Sequence, residues 1–509
     1  MSRAFFRQLL QATRLTHGSA VNSCHFINTS ATIYDQGGRT STQSPLHRAL
    51  KPESDNGDVK EIRRRAQDNP WTLEEPSWRP CSFNESPGYA PLQLGEVLSG
   101  NYAQYKAIRK LGWGTDSSVW LVERVASGHP ELLPGRLLVA KVLTMHSTWL
   151  EHRKITSQII LSIELARHGE DMPGTNSTVP MHDFGAHQTR HGSHLFTVMP
   201  PMSTDVDRVQ LALQTVDPDR DVLLVRRVVK QVLRGLECVH ELGFVHGGAL
   251  APIYPTTALV TLLVGTDIKA ENLGVPLGDE DIPELKKYLE RVPAETLPPR
   301  VFPDYGPDPV TCVKTQPYPS FGHNHEVPRL FVQLGDFGSS ISVSRDTTGM
   351  LAMPRMLRAP EVILGRRWGQ PIDIWALGCL AAELLLREML FFPDESVGED
   401  DVGDSEHLEQ MIHVLGPFSQ ATLAKCPERD RHFDADGSLK PFVGKKKMLP
   451  CPRLRQRLAG AGLTGNTLDE MDGFLRLMLT LDPDERATAS ELHRHPFINR
   501  FDYENNILE

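Results

Sequence analysis

The sequence predicts an α+β protein in which a β-rich lobe precedes a helix-rich lobe. The early segments "YKAIRKLGWGTDSSVWLVERV" and "GRLLVAKVLT" are apolar, β-prone runs separated by a turn that contains glycine, as in hairpin strands. The later segment "DVLLVRRVVKQVLRGLECVHELG" repeats Val and Leu at helical spacing and stops at Gly243. Another, "PIDIWALGCLAAELLLREML", is apolar nearly all round, which is typical of a helix at the centre of a lobe. We place the two lobes at 102–203 and 204–498.

The composition is that of an ordinary chain with a large core. It has 509 residues, of which 40% are hydrophobic and 23% charged. The net charge of -10 argues against a direct nucleic-acid partner, because polyanion binding needs a surplus of Lys and Arg, and it favours a basic partner. Seven scattered cysteines without a CxxC pair indicate a reducing compartment. No apolar run approaches the length of about 20 residues that a membrane span requires.

Three segments are expected to lie outside the regular core. Residues 1–39 begin with 34 residues that contain Arg3, Arg7 and Arg14 but no Asp or Glu, so they are either a mitochondrial targeting segment or a disordered tail. Residues 40–100 are rich in Ser, Pro and charge, which predicts a disordered lead-in. Residues 274–329 contain many Pro, Gly and charged residues, which predicts a spacer with a short helix at "IPELKKYLERV".

The segment "LGWGTDSSVW" predicts a phosphate-binding turn. Gly112 and Gly114 have GxG spacing, and small residues let backbone N–H groups approach phosphate oxygens. A dinucleotide-binding turn is the competing interpretation, but it needs a following helix, and "SSVWLVERV" is β-prone. The predicted ATP-binding residues here are Leu111, Gly112, Trp113, Gly114, Thr115, Asp116, Ser117, Ser118 and Val119.

Lys141, in the apolar run "LLVAKVL", is the predicted cationic residue of this site. It either contacts the α and β phosphates of ATP or extends from the surface as an ordinary lysine. A phosphate-binding lysine also needs a glutamate on a helix. Glu164 in "SQIILSIELARHG" is the first choice for this partner, and Glu151 is the second.

Asp-Phe-Gly occurs twice, at Asp183 and at Asp336. A metal-binding aspartate is expected after an apolar strand and beyond the segment "DIKAEN", and only "RLFVQLGDFGSS" satisfies both conditions. We therefore expect Asp336 to bind magnesium. We expect the first copy to be a strand and turn in the small lobe.

Three further motifs follow in order along the large lobe. "APEVILG" contains Glu361, "PIDIWALG" contains Asp373, and "LDPDERATASELHRHPFI" contains Arg486. Glu361 and Arg486 have opposite charges, so they either form a buried ion pair or remain exposed. All three motifs follow Asp336 in this order, so their joint occurrence by chance is improbable.

Together these motifs resemble the eukaryotic protein kinases, and "RKLGWGTDSSVWLV", "DIKAENLGVPL" and "LGDFGSS...LRAPEVILG" resemble the SR-protein kinase family (SRPK-like, CMGC group). The resemblance covers about residues 102–497 and implies a two-lobed kinase fold with ATP and Mg²⁺ as cofactors. It implies that Asp267 accepts or orients the proton of the substrate hydroxyl, and that Lys269 stabilises the transferred phosphoryl group. Asn272 would hold magnesium with Asp336, and Met202 would donate to adenine from the hinge.

The stretch 248–266 interrupts the expected HxD motif, because His246 should stand two residues before Asp267. The stretch is either a real insertion, the mark of an inactive kinase, or a translated intron. If Gly248 is encoded GGT and Thr266 ACA, an intron could run from the GT of codon 248 to the AG spanning codons 266 and 267. Its removal would restore "GFVHGDIKAENLG" in frame. We favour this third explanation.

The acidic run "FPDESVGEDDVGDSEHLEQ" bears on the substrate. Such a run is commonly a solvated loop, but SR-protein kinases bind Arg-Ser-rich substrates in an acidic groove of the large lobe. We therefore expect an ATP- and Mg-dependent serine/threonine kinase that phosphorylates Ser in Arg-Ser segments and acts as a monomer. The alternative is a catalytically impaired scaffold. The resemblance implies cytoplasm and nucleus, while residues 1–39 leave the mitochondrion open.

Overall fold

The computed structural model describes residues 88–499, except 170, 190–191, 214–215, 248–267, 302–308, 322–326, 394–400 and 442–451. The chain divides into residues 1–77 and 78–509, and all described residues lie in the second unit. Asp267, residues 1–39, the suspect stretch 248–266 and the first part of the acidic run lie outside the described residues. The expectations for them remain predictions.

The small lobe is a six-stranded antiparallel sheet in the order β1-β2-β3-β4-β6-β5. The strands are β1 (Val97–Ser99), β2 (Ala103–Trp113), β3 (Ser117–Ser127), β4 (Leu137–Leu143), β5 (Asp183–Thr189) and β6 (Gly192–Met199). Helices α1 (Met145–His152) and α2 (Gln158–His168) follow β4. Ordered structure begins inside the predicted lead-in 40–100, because β1 pairs with β2 and buries Leu98.

The large lobe is mainly helical, so the predicted α+β architecture is confirmed. Short strands β7 (Met202–Asp205), β9 (Leu273–Pro276) and β10 (Gln333–Leu334) form one sheet, and β8 (Phe244–Val245) pairs with β11 (Ile341–Ser342). The helices are α3 (Val206–Ala212), α4 (Pro218–Glu241), α5 (Ile282–Arg291), α6 (Pro360–Ile363), α7 (Pro371–Leu386), α8 (Asp401–Leu415), α9 (Gln420–Ala424), α10 (Arg429–His432), α11 (Leu454–Gly460), α12 (Gly465–Met478), α13 (Ala489–His493) and α14 (Pro496–Asn499). Among the described helices, none combines the length and apolar character needed to cross a bilayer.

Helix α4 buries one apolar face and helix α7 buries nearly all of its surface, which places both in the core of the large lobe. In α4 the residues predicted at helical spacing, from Val225 to Val239, are buried. Its first turn is stabilised by Pro218 and by the side chain of Asp217, which accepts the N–H of Arg220. In α7 nearly every side chain is buried, as its uniform apolar sequence predicts.

Glu361 and Arg486 form the predicted buried ion pair. The two side chains are fully buried, and two guanidinium–carboxylate hydrogen bonds of 2.7 and 2.9 Å join them. Arg486 also donates to the carbonyls of Thr480 and Pro371, so most of its donors are satisfied without water. The pair connects α6 to the chain just before α13.

The described parts of the predicted spacer pack on the small lobe. Its expected short helix is α5, and Leu285 of this helix is buried with Leu121 and Val139 of the sheet. Gln316 donates its N–H to the carbonyl of Lys110 at 2.9 Å, and Tyr318 donates its hydroxyl to the carbonyl of Met202 at 2.8 Å. The spacer therefore contacts both the sheet and the hinge.

The first Asp-Phe-Gly copy has a structural role, as predicted. Asp183 begins β5, is fully buried, and accepts backbone N–H groups of Asn101, Tyr102, Ala103 and Phe184 at 2.8–3.1 Å. The hydroxyl of Tyr105 donates to it at 2.8 Å. Burial raises the pKa of Asp183, while these hydrogen bonds lower it by less. The carboxylate thus holds the turn between β1 and β2 against β5.

We expect Asp183→Asn to lower the free energy of unfolding by about 2–3 kcal/mol, because the amide nitrogen replaces one acceptor oxygen and leaves buried donors unsatisfied. Urea unfolding measures the loss. The exposed Asp430 provides a matched Asp→Asn control, for which we expect a change within about 0.5 kcal/mol. Equal unfolding midpoints for the two variants would show that the carboxylate is dispensable.

Candidate active site

Asp373, in the first turn of α7, fixes the chain on the histidine side of the catalytic motif. Its buried carboxylate accepts the backbone N–H groups of His246 at 2.8 Å and of Gly247 at 2.9 Å. The ring Nε2 of His240 lies 2.8 Å from the same carboxylate. Asp373 therefore has a structural role, because it holds the backbone at His246 and Gly247. The contact with His240 could not be predicted from the sequence, because His240 is 133 residues away from Asp373.

His246 connects this point to the second Asp-Phe-Gly copy. Its ring is fully buried, with Nε2 3.0 Å from the carbonyl oxygen of Gly335 and the ring centroid 5.2 Å from that of Phe337. Burial lowers the pKa of His246 more than the nearby charge of Asp373 raises it. The imidazole is accordingly neutral, and its Nε2–H donates to Gly335.

Gly335 also contacts the other side of the interrupted motif. Its N–H donates to the carbonyl oxygen of Asn272 at 3.1 Å, while its own carbonyl accepts from His246. The pairing of β9 with β10 continues this contact, with Leu334 opposite Leu273. Ile268 is buried, and Lys269 and Asn272 are partly exposed. The ends that flank 248–267 are thus held by one residue.

Lys141 and Asp336 form the charged centre of the site. Lys141 lies on β4 between β3 and β6, and its ammonium binds Oδ1 of Asp336. Partial burial raises the pKa of Asp336, but the charge and hydrogen bond of Lys141 lower it by more, so it lies below its usual value. The Asp336 side chain is 40% exposed. An ionised and accessible carboxylate suits a magnesium ligand.

The structure corrects the predicted glutamate partner of Lys141. Glu164 contacts Arg167 at 2.5 Å and His168 at 3.7 Å on its own helix. It is six residues beyond Gln158, at which α2 begins, and this separation corresponds to about 9 Å along the helix. Glu151 is also engaged elsewhere, because it accepts the N–H groups of Gln158 and Ile159 at 2.8 and 3.3 Å. The sequence missed Gln158, which lies near Lys141.

The predicted phosphate-binding turn joins β2 to β3. A Cβ atom added to Gly112 or to Gly114 would meet nothing within 4 Å, so the turn has an open side. The hydroxyl of Tyr89 donates to the carbonyl of Gly114 at 2.7 Å, a contact that the sequence did not signal. Asp116 accepts the hydroxyl of Ser147 at 3.0 Å, and burial raises its pKa. A strand follows the turn, so the dinucleotide interpretation is excluded.

The hinge lies between β6, which ends at Met199, and β7, which begins at Met202. The carbonyl of Pro201 accepts the N–H of Leu277 at 3.1 Å, and that of Met202 accepts the hydroxyl of Tyr318. Both residues thus use their carbonyls to contact the spacer. Donation from the Met202 N–H to adenine remains a prediction.

Comparison with known proteins agrees with this geometry. The family model described as "Protein kinase domain" matches residues 323–498. The chain is 25% identical over 420 residues to the serine/threonine-protein kinase SRPK of Physarum polycephalum, covering 81% of this chain and 89% of that protein. It is 30% identical over 285 residues to the serine/threonine-protein kinase AFC2 of Arabidopsis thaliana, covering 54% and 53%. It is 24% identical over 478 residues to the protein kinase dsk1 of Schizosaccharomyces pombe, covering 81% and 83%.

The fold, the order of the motifs and the contacts of His246, Lys141 and Asp336 lead to the same conclusion as these similarities. Residues 323–498 match the protein kinase domain, and the chain as a whole is similar to SRPK-like serine/threonine protein kinases.

Proposed function

We propose that the chain phosphorylates serine in Arg-Ser segments, and that its catalytic loop reads His246, Gly247, Asp267 when residues 248–266 are removed. In this loop Asp267 orients the substrate hydroxyl, Lys269 contacts the transferred phosphoryl group, and Asn272 holds magnesium with Asp336. ATP supplies the phosphoryl group when bound, and Mg²⁺ neutralises its charge. The carboxylate and amide oxygens of Asp336 and Asn272 are ligands that magnesium prefers.

The contacts of Gly335 support the shortened loop. His246 and Asn272 bind the carbonyl and the N–H of this one residue, so the described segments on either side of 248–267 meet at Gly335. The ordinary HRDxxxxN motif closes such a loop with few intervening residues. The additional 248–266 are therefore not needed to connect the two ends, which agrees with a translated intron.

A group of acidic residues beside the catalytic loop is the observation that favours a basic substrate. Glu271 is exposed within the catalytic motif, Asp205 and Asp207 lie at the start of α3, and Glu383 lies on α7. Burial raises the pKa of Glu383, and the negative charges of Glu271 and Asp207 raise it further. Burial likewise raises the pKa of Asp205, while the N–H and the charge of Arg208 lower it and Asp207 and Glu271 raise it. Arginine side chains of a substrate would relieve this repulsion.

The acidic run in the large lobe offers fewer free carboxylates for a basic substrate than its sequence indicated. Asp404 is bound to Arg358 at 3.1 Å, and Glu406 is buried. These two residues therefore face the protein rather than a substrate. Asp394, Glu395, Glu399 and Asp400 lie outside the described residues, and no side chain is described for Asp401.

We expect the form lacking 248–266 to phosphorylate an Arg-Ser peptide with Mg-ATP, and Asp267→Asn in that form to lower kcat about 100- to 10,000-fold, because the hydroxyl loses its base. A radiometric phosphate-transfer assay measures both, alongside the 509-residue form. Asp430→Asn in the shortened form is the matched control and should retain full activity.

If neither the 509-residue form nor the form lacking 248–266 phosphorylates the peptide, a scaffold is favoured over an enzyme. Transcripts that contain only the uninterrupted long coding sequence across this junction would exclude the intron explanation, whatever the activity.

We expect Glu271→Gln together with Glu383→Gln to raise the KM for an Arg-Ser peptide about tenfold and to leave the KM for ATP unchanged. The KM for the peptide rises because two carboxylates no longer attract its guanidinium groups. Since the raised pKa of Glu383 causes it to protonate at a higher pH than an ordinary carboxylate, this KM should also rise on mild acidification, and Glu383→Gln should weaken that dependence.

Comparison of Arg-Ser and Asp-Ser peptides of equal length tests the substrate class directly. Equal kcat/KM for the two peptides would refute the preference for basic substrates. Asp430→Asn again provides a carboxylate change remote from the catalytic loop.

A further inference from the structure

Gln158 is a buried polar residue whose carbonyl oxygen has no hydrogen-bond partner within the described part of the chain. The residue is 4% exposed and is the first residue of α2. A buried acceptor without a donor destabilises a protein, so such an atom calls for a functional explanation.

The oxygen lies beside the charged centre of the site. A Cβ atom on Gly338 would be 3.4 Å from Oε1 of Gln158, 3.3 Å from Nζ of Lys141 and 3.2 Å from Oδ1 of Asp336. The three atoms therefore surround one small space, which is open only because residue 338 is glycine. Lys141 is bound to Asp336 in this arrangement, and Gln158 Oε1 accepts no hydrogen bond.

The backbone around Gln158 is held from both sides. Its N–H donates to Glu151 at 2.8 Å, and the N–H of Ser157 donates to the carbonyl of Ser340 at 2.8 Å. The second bond ties the start of α2 to the segment that follows Asp336. The unpartnered oxygen is thus directed at the Lys141–Asp336 pair by fixed neighbours rather than by a mobile loop.

We propose that Gln158 is a positioning residue for Lys141, in the place where protein kinases generally use a helix-borne glutamate. With ATP and magnesium bound, the ammonium of Lys141 would separate from Asp336 and would donate to the phosphates and to Oε1 of Gln158. The carbonyl oxygen of Gln158 orients the ammonium by accepting a hydrogen bond from it.

This role explains why a buried acceptor without a donor is present at this position. A leucine of similar volume would remove the buried acceptor and stabilise the free protein, but it would give Lys141 no hydrogen bond in the nucleotide-bound state. The inference depends on ATP binding by the kinase and is independent of the Arg-Ser substrate class.

The test measures Mg-ATP affinity without any protein substrate, by competition with a fluorescent ATP analogue, and the thermal midpoint of the nucleotide-free protein. Both are measured on the 509-residue chain and on the form lacking 248–266. We expect Gln158→Leu to weaken Mg-ATP binding about five- to tenfold, the equivalent of one hydrogen bond to a charged group, while its thermal midpoint is equal or higher. Gln158→Glu keeps an acceptor at the same position and should bind within about twofold of the parent protein.

Ser162→Ala is the matched control, because Ser162 is buried one turn further along α2. It should leave the Mg-ATP affinity unchanged. The inference is overturned if Gln158→Leu binds Mg-ATP as tightly as the parent, or if Gln158→Glu binds as weakly as Gln158→Leu. A marked fall in the thermal midpoint of Gln158→Leu also overturns it, since the side chain would then be structural. Failure of the Arg-Ser preference would leave all these measurements unaffected.

Discussion

The two hydrogen bonds of Gly335 are the contacts on which the rest of the site depends. One residue binds His246 through its carbonyl and Asn272 through its N–H, immediately before Asp336. Asp373 holds the histidine side from α7, a helix in which nearly every side chain is buried. The chain on both sides of the interrupted motif therefore shares one rigid support with Asp336, and the core of the lobe positions them.

Elements of the small lobe position the charged centre formed by Lys141 and Asp336. Lys141 reaches Asp336 from the middle of the sheet, and the start of α2 meets the chain beyond Asp336 through Ser157 and Ser340. Movement of α2 would therefore disturb the surroundings of the ammonium and of the carboxylate together. A neutral Gln158 at this junction makes Asp336 the acidic partner of Lys141 and suits a site that exchanges this ion pair for nucleotide and metal.

The spacer changes how the two lobes are connected. Leu285 and Tyr318 are buried against the sheet, and Tyr318 also binds the hinge through Met202. Arg109 of β2 donates to the carbonyl of Gln316 at 3.2 Å and lies over the ring of Tyr288. An insertion within the large lobe thus forms part of the surface of the small lobe. It also contacts the hinge through the carbonyls of Pro201 and Met202.

The sequence alone determined the α+β class, the helices α4 and α7, the predicted spacer helix and the choice of Asp336 over Asp183. These follow from local periodicity and motif order, which are properties of contiguous residues. Only the tertiary structure decided that Gln158, rather than Glu164 or Glu151, lies near Lys141, that Asp404 and Glu406 are engaged within the protein, and that Asp373 is bound by His240. Each of these depends on which residues from distant segments meet. A surface glutamate and a catalytic glutamate have the same local sequence signal, and packing alone distinguishes them.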